Sequence, residues 1–427
     1  MADHRLTTLD SGLRIVTEHM SSVRSAALGF FVHAGSRGED TGEAGLSHFL
    51  EHLLFKGSDR YASVEIDRLF DGWGAELNAG TDKESTTVYA RMLDQHLPRA
   101  FDVMADMIWR PAFNDVDPER DVVLEEIAMY EDDPQDSVFD VLGHAVFGDH
   151  PIGRPIIGRA PVIADTPVDV IARFHALRYL PENVVIAAAG SIDHDEIVRL
   201  AESTLAGLER DGRAQAPEAA PPAPAPTVRF TQKDTEQVHV CLGATGLPRS
   251  DDRRFPLRVL DAIFGGLSSS RLFQAVREER GLAYSVYSFA GQYADTGQVG
   301  LYVGTRPDNL GEAMEVVAGE LERMRREPAT PEELARAKEN VKARVILALE
   351  SSSARMSRLG GSMLFGVPLL EPDEIMSRID AVRLEDLAGL ADELWAPERL
   401  SAAGIGPDAD AFHAAVAPVC PATGTAA

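Results

Sequence analysis

The chain has 427 residues, of which 44% are hydrophobic and 26% are charged, and its formal net charge is −27. This length is too great for one ordinary hydrophobic core, so we expect two or more domains. The strong negative charge disfavours binding to nucleic-acid phosphates and to anionic lipid surfaces, so neither nucleic acid nor a membrane is expected as a partner.

The N-terminal residues lack the apolar core of a signal peptide, and no apolar run along the chain approaches the length of a membrane span. The two cysteines, Cys241 and Cys420, lie far apart in the sequence. This spacing argues against a disulfide scaffold and against a cysteine-based zinc cluster. The simplest expectation is a cytoplasmic protein.

Strand and helix patterns alternate along the first half of the chain. Four β-type runs predict strands at residues 13–18, 26–32, 75–79 and 85–92, with a turn at 80–83. Helical patterns occur at residues 43–55, 98–109 and 118–130. Because neighbouring strands have short connections, we expect a largely antiparallel sheet with helices on one face.

A proline-rich break and a sequence repeat divide the chain. Residues 213–226 contain five prolines among alanines, a composition typical of an extended, semi-rigid linker. At a constant offset of 216 residues, the ends of the two halves share identical residues: Pro181 with Pro397, Glu182 with Glu398 and Gly190 with Gly406. We therefore predict an α+β protein with two similar domains, residues 1–212 and 227–427, joined by residues 213–226.

The most informative short motif is His48-Phe-Leu-Glu-His52, within the helical pattern at residues 43–55. The two histidines are four residues apart on one helix face, where their imidazoles can converge on one zinc ion. Glu51 stands beside them, within reach of a water molecule at the metal. A single histidine on an apolar helix is more often a buried, hydrogen-bonded residue or a surface residue than a metal ligand. The motif alone therefore favours a metal site and a structural role about equally.

A catalytic zinc site needs a third protein ligand and one open position. The acidic helix predicted at residues 118–130 is the best source of that ligand. Its Glu119 and Glu126 are seven residues apart and therefore share one helix face, whereas Glu125 points elsewhere. The spacing by itself does not choose between the two carboxylates.

Together these motifs resemble the pitrilysin-type inverzincins, a family that includes mitochondrial processing peptidase and insulin-degrading enzyme. The resemblance covers both halves of the chain. In the first half it includes the zinc motif, Gly42–Gly45, Phe55–Gly57, Asn78–Gly80, Glu84–Tyr89, Glu119–Glu126 and His150–Pro155; in the second half it includes Gly265–Phe273 and Arg277–Tyr284.

The resemblance implies a role for each matching residue. One zinc ion per chain would be bound by His48, His52 and Glu126, with Glu51 as general base and Glu119 as a supporting carboxylate. The pair Arg277 and Tyr284 would contact the substrate near the scissile bond, and Asn78 and Ala79 would lie on an edge strand that binds the substrate.

From this resemblance we expect a zinc endopeptidase that hydrolyses unfolded peptides or presequence-like segments inside a closing chamber. One alternative is a non-catalytic core or partner subunit of the same fold, and another is a processing peptidase with one dedicated substrate. The complete zinc motif argues against the first alternative. A two-domain chain is expected to form a homodimer, with Arg277 and Tyr284 of one chain completing the other chain's site.

Overall fold

The computed structural model describes residues 4–208, 219–220, 224–327 and 329–421. Most of the predicted linker, residues 213–218 and 221–223, lies outside the described residues. Within the described ranges the strands form two sheets, one of six strands and one of five. The chain therefore has the two-sheet α+β architecture that the sequence predicts.

The first sheet has the order β1-β2-β6-β3-β5-β4. Its strands are β1 (His4–Thr8), β2 (Arg14–His19), β3 (Ser25–Val32), β4 (Glu76–Thr81), β5 (Thr86–Leu93) and β6 (Val184–Gly190). All neighbouring pairs are antiparallel except β2 and β6, which are parallel. Strand β4 extends two residues beyond the predicted strand, through Gly80 and Thr81, so it pairs with β5 over residues predicted as a turn.

The second sheet has the order β7-β11-β8-β10-β9. Its strands are β7 (Val228–Gln232), β8 (Val238–Gly246), β9 (Ala283–Gln292), β10 (Gly297–Thr305) and β11 (Ser401–Gly406). Only β7 and β11 pair in parallel. If β1 is set aside and the remaining strands of each sheet are numbered along the chain, the two sheets have the same spatial arrangement of strands. This shared topology confirms the prediction of two similar α+β domains.

Helices cover the strands and supply most of the remaining core. In chain order they are α1 (Leu46–Leu54), α2 (Ser63–Trp73), α3 (Leu97–Trp109), α4 (Val116–Asp132), α5 (Pro134–Phe147), α6 (Ala160–Asp165), α7 (Val168–Arg178), α8 (His194–Leu205), α9 (Arg254–Phe264), α10 (Leu310–Arg326), α11 (Pro331–Ala348), α12 (Ser352–Leu364), α13 (Pro372–Asp380), α14 (Leu384–Leu394) and α15 (Ala409–Val416). No helix in the described part of the chain combines the length and apolar character needed to cross a bilayer.

Strand β3 shows how the first sheet is buried on both faces. Leu28 and Phe30 point into a large core shared with α1 and α3. Phe31 points to the opposite face, where it packs against Met356 and Leu359 of α12. The expected layer of helices on one face is therefore present, but α12 covers the other face as well. A strand with two covered faces reads as a continuous apolar run, as residues 26–32 do.

The two compact units of the structure are not contiguous in sequence. The described residues of one lie within 1–128, 155–218 and 346–371, and those of the other lie within 129–154, 219–345 and 372–427. In the first unit α12, from the second half of the chain, packs on β2, β3 and β6. In the second unit α5, from the first half, packs on β7, β8 and β11. The division at residues 213–226 stays a prediction, and the contacts group the described residues in this interleaved way.

Candidate metal centre

Helix α1 carries the zinc motif and is anchored by its apolar face. Leu46, Phe49, Leu50 and Leu53 are fully buried. The histidines and Glu51 occupy the remaining face. The helix begins after Gly45, whose φ of +99° is a left-handed conformation. A Cβ at Gly45 would also lie 2.8 Å from the backbone of Gly158, so only glycine fits there.

The N-terminus of α1 is capped by a buried carboxylate. Glu39, only 3% exposed, accepts hydrogen bonds from the peptide N–H groups of Gly45 at 2.8 Å and Ser47 at 2.7 Å. Burial raises the pKa of Glu39 to about 7, although both peptide N–H bonds act to lower it. The carboxylate therefore satisfies two donors that the start of a helix would otherwise leave unpaired.

A Glu39→Gln variant should show how this cap depends on pH. The pKa of Glu39 is raised on folding, so its contribution to stability is fully present below about pH 4.5 and is lost as the pH rises through about 7. We expect the free energy of unfolding of the wild type, minus that of Glu39→Gln, to fall by up to about 3 kcal/mol between pH 5 and pH 8.

The measurement is urea unfolding of both proteins in a chelator, which removes any contribution of metal binding. A difference that stays constant with pH would show that Glu39 does not titrate in this range. A difference that grows with pH would show that the two N–H bonds outweigh burial.

Three side chains from α1 and α4 converge on one point. The donor atoms of His48, His52 and Glu126 all lie within 4.8 Å of one another. Nε2 of His48 is 3.7 Å from Oε1 of Glu126, and Nε2 of His52 is 3.3 Å from Oε2. Within the described ranges, no other group of three or more His, Cys, Asp or Glu side chains has this arrangement. Two imidazoles and one carboxylate are a donor set that suits zinc.

The electrostatic state of His48 suits metal binding. Burial, together with the neighbouring His52, lowers the pKa of His48 to about 4. Its imidazole is therefore neutral near pH 7, which is the form that binds a metal. Nδ1 of His48 is buried without a hydrogen-bond partner among the described residues, so no hydrogen bond at Nδ1 fixes the tautomer of this imidazole.

His52, in contrast, is oriented by a second carboxylate. Its Nδ1 is 2.9 Å from Oε1 of Glu119, whose other oxygen is 2.6 Å from Nζ of Lys56. A proton on Nδ1 shared with this carboxylate leaves Nε2 as the donor atom directed toward Glu126. Lys56 balances the charge of Glu119, whose side chain is only 8% exposed. The two glutamates thus occupy different positions: Glu126 faces both Nε2 atoms, and Glu119 lies behind His52.

An arginine fixes the first turn of α4 beside α1. The guanidinium of Arg120 donates to the carbonyl oxygens of Ile163 and Thr166 at the end of α6. It also lies over the ring of Phe49, with 5.4 Å between Cζ and the ring centroid. These contacts tie α4 to α1 and to α6, and so they determine where Glu119 and Glu126 are presented.

Glu51 lies beside this cluster and contacts the end of β4. Its Oε2 accepts a hydrogen bond of 2.5 Å from the hydroxyl of Thr81. Burial raises the pKa of Glu51, while the Thr81 hydroxyl bond lowers it. A partly desolvated carboxylate next to a metal site has the properties of a general base.

The predicted substrate strand is the outer strand of the first sheet. In β4, exposed and half-buried residues alternate, and Asn78 is exposed whereas Ala79 is half-buried. The side-chain oxygen of Asn78 accepts a 2.8 Å hydrogen bond from the peptide N–H of Ala79. One side of β4 has no strand partner among the described residues, so that side can accept an added strand.

Arg277 and Tyr284 lie together in the second unit. Arg277 stands in a π-helical turn, Phe273–Glu278, and donates to the carbonyl oxygen of Tyr284 at 2.9 Å. Its Cζ lies 4.4 Å from the ring centroid of Tyr284 and 4.8 Å from that of Phe273. Tyr284 is 77% exposed, so it does not serve as a core residue. The Tyr284 side chain is therefore accessible to a ligand, with Arg277 packed against its ring.

Sequence reasoning missed three residues at this centre: Glu39, Thr81 and Arg120. The sequence does contain one indication of the helix cap. Ala44 and Gly45, which precede α1, have no polar side chain, so a residue farther away must accept hydrogen bonds from the first peptide N–H groups of the helix. The sequence pattern predicts a turn at Thr81, and nothing in the sequence distinguishes this residue from its neighbours. Arg120 resembles any arginine on an acidic helix.

Comparison with known proteins identifies the family. Residues 14–160 match the family described as Insulinase (Peptidase family M16), and residues 167–341 match the Peptidase M16 inactive domain. The chain is 42% identical to an uncharacterized zinc protease of Streptomyces coelicolor over 97% of its length and 92% of that protein's. It is 40% identical to the uncharacterized zinc protease YmxG of Bacillus subtilis, with 91% and 95% of the two chains covered. The chain belongs to peptidase family M16.

Solved structures share the M16 fold. A protease from Helicobacter pylori matches with a TM-score of 0.89 at 24% identity, over 95% of this chain and all of that chain. An M16 inactive domain from Pseudomonas fluorescens matches with a TM-score of 0.86 at 21% identity, over 95% and 98%. These likenesses confirm the fold. The cluster of His48, His52 and Glu126 lies in the segment matched by the first family description, and Arg277 and Tyr284 lie in the segment matched by the second.

Proposed function

We propose that this M16 protein is a zinc-dependent endopeptidase with one zinc ion per chain, bound by His48, His52 and Glu126. The observation that carries the proposal is the convergence of these three donors with the carboxylate of Glu51 beside them. The zinc protease names of the relatives support the same metal.

The chain's own residues supply most of the mechanism. Zinc, when bound, lowers the pKa of water and polarises the scissile carbonyl. Glu51 takes a proton from the attacking water as the carbonyl carbon is attacked, and later gives that proton to the departing amine. Glu119 holds Nδ1 of His52, which keeps Nε2 directed toward the metal. Tyr284 supplies a hydroxyl that would stabilise the negative charge on the carbonyl oxygen.

Substrate binding is proposed to occur at the edge of the first sheet. An extended peptide added along Asn78 and Ala79 would form main-chain hydrogen bonds, which read the backbone more than the side chains. This mode favours unfolded peptides or presequence-like segments over folded proteins. We further propose a cytoplasmic location for this activity.

Zinc analysis combined with a peptide digest tests this proposal. The purified protein should contain about one zinc per chain and should cleave unfolded peptides in a chelator-sensitive manner. Many cleavages in unrelated peptides would indicate general degradation, and one cleavage in one partner would indicate a dedicated processing role. Zinc bound without hydrolysis of any peptide would favour the alternative, a non-catalytic subunit of the same fold.

We also propose that the active site is completed in a homodimer, with Arg277 and Tyr284 of one chain serving the metal of the other. The prediction is tested by mixing Glu51→Gln chains with Tyr284→Phe chains. Each variant alone should have little activity, whereas a mixed dimer contains one site with both intact residues. Mixing should therefore restore up to about half the wild-type activity per mixed dimer.

The control is each variant mixed with itself under the same exchange conditions. Restoration that requires both variants supports the shared site. If chains exchange, as shown by mass-tagged subunits, and activity never returns, the residues of one chain do not complete the other's site.

A further inference from the structure

The end of strand β4 places a hydroxyl group directly on the general base. Thr81 Oγ1 donates to Oε2 of Glu51 at 2.5 Å, and the peptide N–H of Thr81 also acts on this carboxylate. The same hydroxyl is 3.5 Å from the carbonyl oxygen of Ser47, one turn earlier on α1. Thr81 is half-buried, so water is partly excluded from this bond.

Counting protons shows the direction of the bond. The hydroxyl of Thr86, paired with Thr81 across the hairpin, donates to the carbonyl oxygen of Ala34 at 2.9 Å. Thr86 has no second proton for Thr81, whose oxygen is 3.3 Å away. The Thr86 oxygen can only accept from Thr81, and at 3.3 Å it competes weakly with the Glu51 carboxylate at 2.5 Å, so the single proton of Thr81 lies toward Glu51. Because an ionised carboxylate only accepts hydrogen bonds, this arrangement holds one of its two oxygens in place.

We propose that Thr81 is a positioning residue that fixes the orientation of the Glu51 carboxylate for proton transfer. By holding Oε2, it leaves Oε1 as the oxygen that receives the proton of the attacking water and returns it to the departing amine. The hydrogen bond to Oε2 can persist throughout, since Oε2 is an acceptor in both protonation states of Glu51. This inference rests on the proposed peptidase function.

Thr81 also links the general base to the strand proposed to bind the substrate. Thr81 closes β4, the same strand on which Asn78 and Ala79 are proposed to bind the substrate. The hydrogen bond therefore fixes the position of the Glu51 carboxylate relative to β4, beside which the peptide would lie, as well as relative to α1. A correct distance between base and substrate depends on this cross-link, since a displacement of about 1 Å can lower a rate by about 100-fold.

The test compares Thr81→Val with Thr81→Ser. Valine keeps the shape and suits a strand but has no hydroxyl, whereas serine keeps the hydroxyl. We expect Thr81→Val to lower kcat by about 10- to 100-fold, with KM changed by less than about 3-fold and zinc content unchanged. Thr81→Ser should recover most of kcat. Crystal structures without metal should show a single Glu51 orientation in the wild type and in Thr81→Ser, and more than one in Thr81→Val.

A matched control removes a hydroxyl from the same hairpin. The control is Thr87→Val. Thr87 lies on β5 opposite Gly80, and its side chain and that of Thr86 point to opposite faces of the sheet. This variant should keep the wild-type kcat. If Thr87→Val lowers kcat as much as Thr81→Val does, the effect belongs to the hairpin in general and the inference is wrong.

Other outcomes would also overturn the inference. A wild-type kcat in Thr81→Val would do so, as would a lowered kcat in that variant while Glu51 keeps a single orientation. A loss of activity in Thr81→Val that is explained by loss of zinc, or a Thr81→Ser variant with a kcat no higher than that of Thr81→Val, would do so as well. If Thr81→Val does not fold, Thr81→Ala replaces it; failure of both to fold while Thr81→Ser folds would assign the hydroxyl a structural role. An inactive wild type, or a fully active Glu51→Gln, would instead contradict the proposed function itself.

Discussion

Replacing Glu51 by glutamine is expected to leave zinc bound and to lower kcat by about 100- to 10,000-fold, the usual contribution of a general base. Glutamine has nearly the same size and still offers an oxygen to the hydroxyl of Thr81, but it cannot accept a proton from water. The proposed ligands His48, His52 and Glu126 are untouched by the change, so metal content should stay at the wild-type value. Steady-state hydrolysis of a fluorogenic peptide and elemental analysis give the two quantities.

The two measurements together make the assignment of Glu51 falsifiable. Undiminished hydrolysis by Glu51→Gln would exclude Glu51 as the base. Loss of hydrolysis together with loss of zinc would show a role in metal binding instead. A control variant, Glu65→Gln on α2, removes one carboxylate outside the metal centre and should retain both zinc and activity.

Replacing Glu126 by glutamine should have the largest effect on metal binding. Its carboxylate faces Nε2 of both His48 and His52, and the loss of its negative charge leaves two neutral imidazoles to hold a divalent cation. Changes in residues that only support a ligand typically weaken metal binding by about 10- to 100-fold, so loss of a ligand is expected to weaken it by about 100-fold or more. Competition with a chromophoric chelator measures the zinc affinity.

Two neighbouring glutamates on α4 serve as controls. Glu125→Gln changes the adjacent, exposed residue and should bind zinc as the wild type does. Glu119→Gln removes the partner of His52 and should weaken binding by about 10- to 100-fold, less than Glu126→Gln. If the order of the two effects is reversed, the proposed roles of Glu119 and Glu126 must be exchanged. Unfolding of the metal-free variants would show whether any change reflects lost structure instead.

The parts of the fold that depend on local patterns were predictable. Alternation and apolar runs gave β2, β3 and β5 to within a residue or two, and helical spacing gave α1, α3 and α4. The repeat at an offset of 216 residues predicted β6 and β11, the equivalent last strands of the two halves of the chain. What the patterns did not reveal was the exchange of α5 and α12, because a helix's apolar face does not specify which sheet covers it.

At the metal centre, the sequence by itself determined the pair His48 and His52. Two residues that are four positions apart on an α-helix lie on the same face of it, whatever the structure of the rest of the chain. The third donor was different. Glu119 and Glu126 are equivalent in spacing, and only the packing of α4 against α1 and α6 through Arg120 places one of them before both imidazoles and the other behind His52.

The tertiary structure alone decided the surroundings of the zinc motif. The cap from Glu39 reaches α1 through a folded loop, and the Thr81 hydroxyl reaches Glu51 from a strand that begins more than twenty residues after the helix ends. Hydrogen bonds between distant segments depend on backbone placement to within a fraction of an ångström, and periodicity in a sequence carries no such information. The helix at His48–His52 is thus encoded locally, while its cap, the position of Glu126 beside it and the orientation of Glu51 depend on the complete fold.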